Sequence, residues 1–144
     1  ILKLAYMQYS KEYKVKTEHI DVQGIMDGLY YPFYMEYCRH EYIDVILGLN
    51  LENEAKKGVN MVLSGYTINF LRSLKQDDTF IVTCELFRDK NNTPKLYFKQ
   101  SIMMNNKIIT KAIFTGTCVL STGGRPFIPE TIKSIIENAP VLEV

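Results

Sequence analysis

Asp21 closes the run Val15-Lys16-Thr17-Glu18-His19-Ile20, sits just ahead of a glycine at Gly24, and precedes a helix-like stretch that opens at Tyr31. A carboxylate leaving an extended segment just before a helix lies beside backbone N–H groups with no partner inside the helix, where the helix dipole adds partial positive charge. One small volume can then hold a nucleophile or general base together with a site that polarises an electrophile. The plainer role for Asp21 is a turn or helix-entry carboxylate, which any Asp before a glycine turn can fill.

Other residues near this junction carry the same double reading. Asp27 is either a second acid or a solvated turn residue, and His19 is either a group titrating near neutrality or a hydrogen-bonding support. Glu36, on the helix, is spaced to pair with Arg39 or His40 and is the fallback acid if Asp21 is structural. Tyr30, Tyr31 and Tyr34 form an aromatic cluster, with Tyr31 and Tyr34 suited to packing on a sheet and Tyr30 to lining a pocket. Arg72, Ser73 and Lys75 supply polar and basic groups further along, or simply occupy a surface turn.

Those residues must be positioned by a framework, and the sequence outlines one. Residues 12 to 20 read as a first strand, and residues 21 to 30, with Gly24 and Gly28, as a loop. From Tyr31 to Leu47 apolar positions wrap most of a helix, with Pro32 in its first turn and Gly48 ending it. Leu51 to Lys57 reads as a short polar helix or turn before Gly58. Four extended stretches follow over 60–71, 79–88, 95–104 and 107–120, parted by turn-forming clusters at 75–78, 89–94 and 105–106. Residues 128 to 137 form a last helix with Pro129 in its first turn. A strand, a buried helix and then four meandering strands imply an α+β fold with an antiparallel sheet around one helix. A sheet covered by one helix leaves apolar surface exposed, so at least a dimer is expected.

Composition sets limits. The 144 residues, 47% of them hydrophobic, suit one domain with a substantial core. With 17 basic and 16 acidic residues the net charge is +1, giving no general attraction to nucleic acid or to an anionic membrane. The ten tyrosines show no periodicity that would stack bases. Cys38, Cys84 and Cys118 have spacings that fit neither a disulfide framework nor a zinc site. No metal or redox cofactor is implied, and no Gly-rich phosphate loop or Ser-His-Asp arrangement is present. No apolar run spans a bilayer and no leader pattern is seen, so the expectation is a soluble, cytoplasmic protein.

Asp21, Gly24, Ile25, Met26, Tyr31, Tyr34, Glu36 and Arg39 fall in order on a known pattern. Gly58-Val59, Asn69-Phe70-Leu71-Arg72, Asp77-Asp78, Gly124-Arg125-Pro126 and Ile128-Pro129 extend it. In these motifs the chain resembles the hotdog-fold thioesterases of the 4-hydroxybenzoyl-CoA thioesterase family, over roughly residues 12 to 138. The resemblance implies an antiparallel sheet wrapped around a long central helix, and hydrolysis of an acyl-CoA substrate. It implies that Asp21 either attacks the carbonyl to form a mixed anhydride or acts as general base for water. It places backbone donors at Gly28 and Leu29 as the oxyanion site. It puts Tyr30 and Tyr31 at the acyl group, Arg72 and Ser73 near the nucleotide end of coenzyme A, and the ligand between subunits of a homodimer or homotetramer.

The chain departs from the family at two places. Gly28 stands where many members have Tyr or His, and Tyr30 stands where they have Asn. These changes leave the acyl group open. An acyl-carrier-protein thioesterase and a non-catalytic binder of acyl thioesters are the alternatives. A dehydratase on the same scaffold would need a histidine better placed than His19 or His40.

Overall fold

The computed structural model describes residues 8–143. Five strands, β1 (Tyr9–Lys14), β2 (Val59–Phe70), β3 (Thr79–Arg88), β4 (Leu96–Met104) and β5 (Lys107–Leu120), pair antiparallel in the order β1-β3-β4-β5-β2. Helix α1 (Tyr30–Glu41) runs on through a π-helical turn at Tyr42–Ile46 and packs against β3 and β4. Two short helices, α2 (Leu51–Lys56) and α3 (Glu130–Ile136), complete the order. This is the sheet around a central helix that the sequence implies.

Strand alternation explains the core. Phe80, Val82, Cys84 and Leu86 on β3, with Leu96, Phe98 and Ile102 on β4, all face inward and are almost fully buried. Tyr31, Tyr34, Met35, Cys38 and Tyr42 recur at helical spacing on α1 and meet them. Each large side chain so buried contributes about 1.5–3 kcal/mol. Polar atoms at this interface are satisfied: the Leu86 N–H donates to the Tyr42 hydroxyl at 3.1 Å, and the Cys38 thiol to the Val82 carbonyl at 3.6 Å. Asn105 and Asn106, both at positive φ, form the tight β4–β5 turn, where Asn tolerates the left-handed region well.

Three details differ from the sequence reading. The first strand is Tyr9–Lys14 rather than 12 to 20, because β3 begins at Thr79 opposite Lys14 and offers no partner further on. The chain instead turns through a 3-10 segment at Thr17–His19. Helix α1 is less enclosed than its apolar pattern suggests: Phe33, Tyr37 and Val45 face outward. Pro129 caps α3 from outside rather than sitting in its first turn.

The far edge of the sheet is β2, and most of its length is exposed, including Val62, Leu63, Tyr66 and Phe70. Among the described residues no helix is long and apolar enough to cross a membrane.

Candidate active site

The segment between the 3-10 turn and α1 is a small hairpin. Ile20 bridges Met26, the Asp21 N–H donates to the Ile25 carbonyl at 2.8 Å, and the Gly24 N–H returns to the Asp21 carbonyl at 3.1 Å. Gly24 sits at φ +83, where a Cβ is disfavoured, so this turn requires its glycine. The returning arm is anchored on both sides: the Met26 N–H donates to the Leu74 carbonyl at 2.8 Å and the Asp27 N–H to the His19 carbonyl at 2.9 Å. Asp21 is thus held on a braced loop that leads straight into the helix.

The Asp21 carboxylate has two faces. Its Oδ1 accepts the Gln23 N–H at 2.7 Å, the turn-forming role available to any Asp in this setting. Its Oδ2 has no hydrogen-bond partner among the described residues, and the side chain is only partly buried. One oxygen shapes the loop while the other remains open to a ligand. The carboxylate is close enough to the Tyr31 phenol to help raise its pKa, an effect led by burial and opposed by the bond from Leu74 N–H.

The two expected oxyanion donors differ. The Leu29 N–H donates to the Asp27 Oδ1 at 2.9 Å, a turn just ahead of α1 that occupies that donor. The Gly28 N–H has no partner among the described residues. Gly28 is exposed, its φ is not in the left-handed region, and an added Cβ would meet nothing within 4 Å. The space filled by Tyr or His in many family members is therefore empty, and the backbone does not demand a glycine there. An Asp in a turn just ahead of a helix was the available signal for this bond; the sequence alone left Asp27 as either a second acid or a solvated turn residue.

The aromatic residues divide. Tyr31 is buried, and its hydroxyl accepts the Leu74 N–H at 3.0 Å, a structural bond inside the fold. Tyr30 stacks on His19 with ring centroids 3.8 Å apart, and the His19 Nδ1 meets the Tyr34 hydroxyl at 2.8 Å. His19 is a buried support, as expected. Arg72 and Ser73 are exposed, and Arg72 Nη1 donates to the Ile108 carbonyl at 3.1 Å. Glu36 is exposed and stands 3.7 Å from Arg39. Arg39 itself is buried, which its charge and its place beside His40 did not reveal; its guanidinium donates to Gln100 at 3.0 Å and lies 4.3 Å from the Phe114 ring centroid. No cluster of side chains among the described residues would hold a metal ion.

Three surface cavities of about 720, 690 and 620 Å³ are present, and none is lined by Asp21, Gly28 or Leu29. Around the hairpin the chain instead presents unusually bare apolar side chains, Val22 fully exposed and Leu29 at 77%. Such residues mark a surface that another surface covers.

Residues 15–136 match the model of the thioesterase-like superfamily. A chloroplastic acyl-acyl carrier protein thioesterase of Arabidopsis thaliana, ATL3, is 30% identical over 127 residues, covering 85% of this chain and 64% of that protein. A second from the same plant, ATL2, is 29% identical and is spanned over 65% of its length. A 1,4-dihydroxy-2-naphthoyl-CoA thioesterase from Synechocystis superposes with TM-score 0.78 at 14% identity, covering 92% of this chain and 97% of its own. A 12:0-ACP thioesterase from Umbellularia californica superposes with TM-score 0.80 at 15% identity, covering 95% of this chain and 52% of its own. Sheet order, central helix and family match agree: the chain has the hotdog fold and belongs to the thioesterase-like superfamily.

Proposed function

We propose that this chain hydrolyses an acyl thioester to the free acid and a thiol, with Asp21 as the catalytic carboxylate. The observation that carries this is the free Oδ2 of Asp21 on a hairpin leading into α1, with the unpartnered Gly28 N–H at the helix entrance. Thioester hydrolysis needs those two elements. Asp21 either deprotonates the water that adds to the carbonyl or adds itself and is released by water from the resulting mixed anhydride. In both routes the carbonyl oxygen gains negative charge, which Gly28 N–H and the α1 dipole stabilise, and the thiolate leaves. The Leu29 N–H joins as donor only when Asp27 releases it. Tyr30 lines the acyl side.

A homodimer completes the site. An exposed twelve-residue β2 edge is a template for pairing with a second β2, and pairing would cover Val62, Leu63 and Tyr66. The same assembly brings a second surface against Val22 and Leu29, and a homotetramer follows if dimers pair in turn.

The resemblance favours acyl-CoA as the first substrate to test. A second reading, an acyl-acyl carrier protein substrate, is favoured by the 30% identical relative, whose name gives that activity. The test is thiol release from short, medium, long and aromatic acyl groups on both carriers, comparing wild type with Asp21→Asn. Asn retains an oxygen for the Gln23 N–H but is neither base nor nucleophile, so activity is expected to fall by about 10²–10⁴ with the fold intact. An unchanged rate would remove Asp21 from the chemistry and move attention to Glu36.

A further inference from the structure

We infer that His19 is a positioning residue, bracing the arm that carries Asp21 against the start of α1 and so setting where the Asp21 carboxylate stands relative to the Gly28 N–H. Its catalytic consequence rests on the thioester-hydrolase reading, to which it adds the group that holds the two halves of the site together.

Those halves lie on different arms of the hairpin. Gly28 follows the returning arm, which runs on into α1 and is fixed to the rest of the fold by the Met26 N–H on the Leu74 carbonyl and by the Ile25–Lys75 bridge. Asp21 stands on the outgoing arm, which meets the returning one through backbone bonds from Asp21 N–H to the Ile25 carbonyl and from Asp27 N–H to the His19 carbonyl. A two-stranded hairpin alone is only marginally stable in water. The outgoing arm therefore needs a hold on something larger. Among the described residues from 17 to 22, the side chain that hydrogen-bonds α1 is His19.

That hold has two parts. The imidazole, 8% exposed, stacks on Tyr30 with centroids 3.8 Å apart and planes 13° apart, and meets Phe33 and Tyr34 edge-on at 5.5 Å each. Its Nδ1 lies 2.8 Å from the Tyr34 hydroxyl, and the Lys16 backbone bonds that same hydroxyl. One phenol on α1 thus ties both ends of the 3-10 segment Thr17–His19. With its carbonyl on the Asp27 N–H, His19 grips the helix by its side chain and the returning arm by its backbone, one residue short of Gly28. Ring packing alone would account for a buried imidazole, yet it requires neither the bond to Tyr34 nor the location between Asp21 and Gly28. Reacting groups displaced by about 1 Å can lose on the order of a hundredfold in rate, so slack in this brace should appear in catalysis before it appears in binding.

The experiment compares wild type, His19→Phe, Tyr34→Phe and the double variant, using the fastest thioester of the panel described above. His19→Phe keeps a ring on Tyr30 and loses the bond; Tyr34→Phe removes only the hydroxyl. At a temperature where all four are folded, each single variant is expected to lose about tenfold to a hundredfold in kcat with KM within about threefold of wild type. The double variant should lose no more than Tyr34→Phe alone, because both substitutions remove the same bond. The Asp21 and Asp27 amide protons should exchange with solvent about tenfold faster or more in both single variants. A lower Tm with kcat and exchange unchanged would assign His19 to packing alone and overturn the inference, as would losses that multiply in the double variant. If wild type hydrolyses no thioester, the hydrolase reading fails, and the exchange rates by themselves decide whether His19 braces the hairpin.

Discussion

Replacing Gln100 with Leu is expected to destabilise the protein more than replacing the charge it serves. Arg39 is 3% exposed; its Nη1 donates to Gln100 Oε1 at 3.0 Å, and its other polar neighbour is Glu36, which is 3.7 Å away with a side chain 57% exposed. Burial pulls the guanidinium pKa down, showing how poorly this environment solvates the cation. Gln100 is held in turn, donating to the Met35 carbonyl at 2.9 Å and the Thr83 carbonyl at 3.3 Å. Gln100→Leu strands a buried charge, a loss of about 3–5 kcal/mol. Arg39→Met leaves one neutral acceptor unmatched, a loss of about 1–3 kcal/mol. Independent effects would sum to about 4–8 kcal/mol, whereas a double variant with an apolar pair is expected to lie within about 2 kcal/mol of wild type. Urea unfolding of all four proteins at one protein concentration measures the cycle. A double variant that loses the full sum would show that Gln100 does not stabilise the buried cation.

Other expectations follow from single contacts. Tyr31→Phe leaves the N–H of the fully buried Leu74 without its acceptor, so stability should fall by about 1–3 kcal/mol with KM unchanged; a raised KM at unchanged Tm would return the hydroxyl to the substrate. Glu41 is held below the usual carboxylate range, first by the Tyr9 hydroxyl and then, against some desolvation, by Lys11. A lowered carboxyl pKa contributes stability above the ordinary value and loses it as pH falls through the lowered one, so the Tm gap between wild type and Tyr9→Phe should be full at neutral pH and close below about pH 4. A gap that persists in acid would count against a Tyr9 bond to an ionised Glu41. Asp27→Ala should lower stability by about 0.5–1.5 kcal/mol through loss of its turn hydrogen bond while holding or raising the hydrolysis rate, because Leu29 N–H is freed. A rate drop beyond tenfold would instead place Asp27 in the chemistry.

The strands were readable because their signals are local. Thr79–Arg88 and Lys107–Leu120 match the expected spans, since the turn-forming clusters at 75–78, 89–94 and 105–106 and the glycines at 123–124 bound them without reference to the rest of the chain. The first strand was not, because its end depends on where β3 begins across the sheet rather than on its own residues. The order of Asp21 and Gly28 before the helix was legible. That Leu29 N–H is taken by Asp27, that Tyr31 serves Leu74, and that Arg39 is buried against Gln100, 61 residues away, were not.

By itself, then, the sequence determined the element order, the α+β class and the junction where an acid precedes a helix, all consequences of side-chain period and turn chemistry along a short stretch of chain. The tertiary structure decided which donors remain free, which cation is enclosed and which apolar residues stay bare. Those outcomes depend on groups from distant segments competing for the same hydrogen bonds and the same dry space, and no local pattern records who wins.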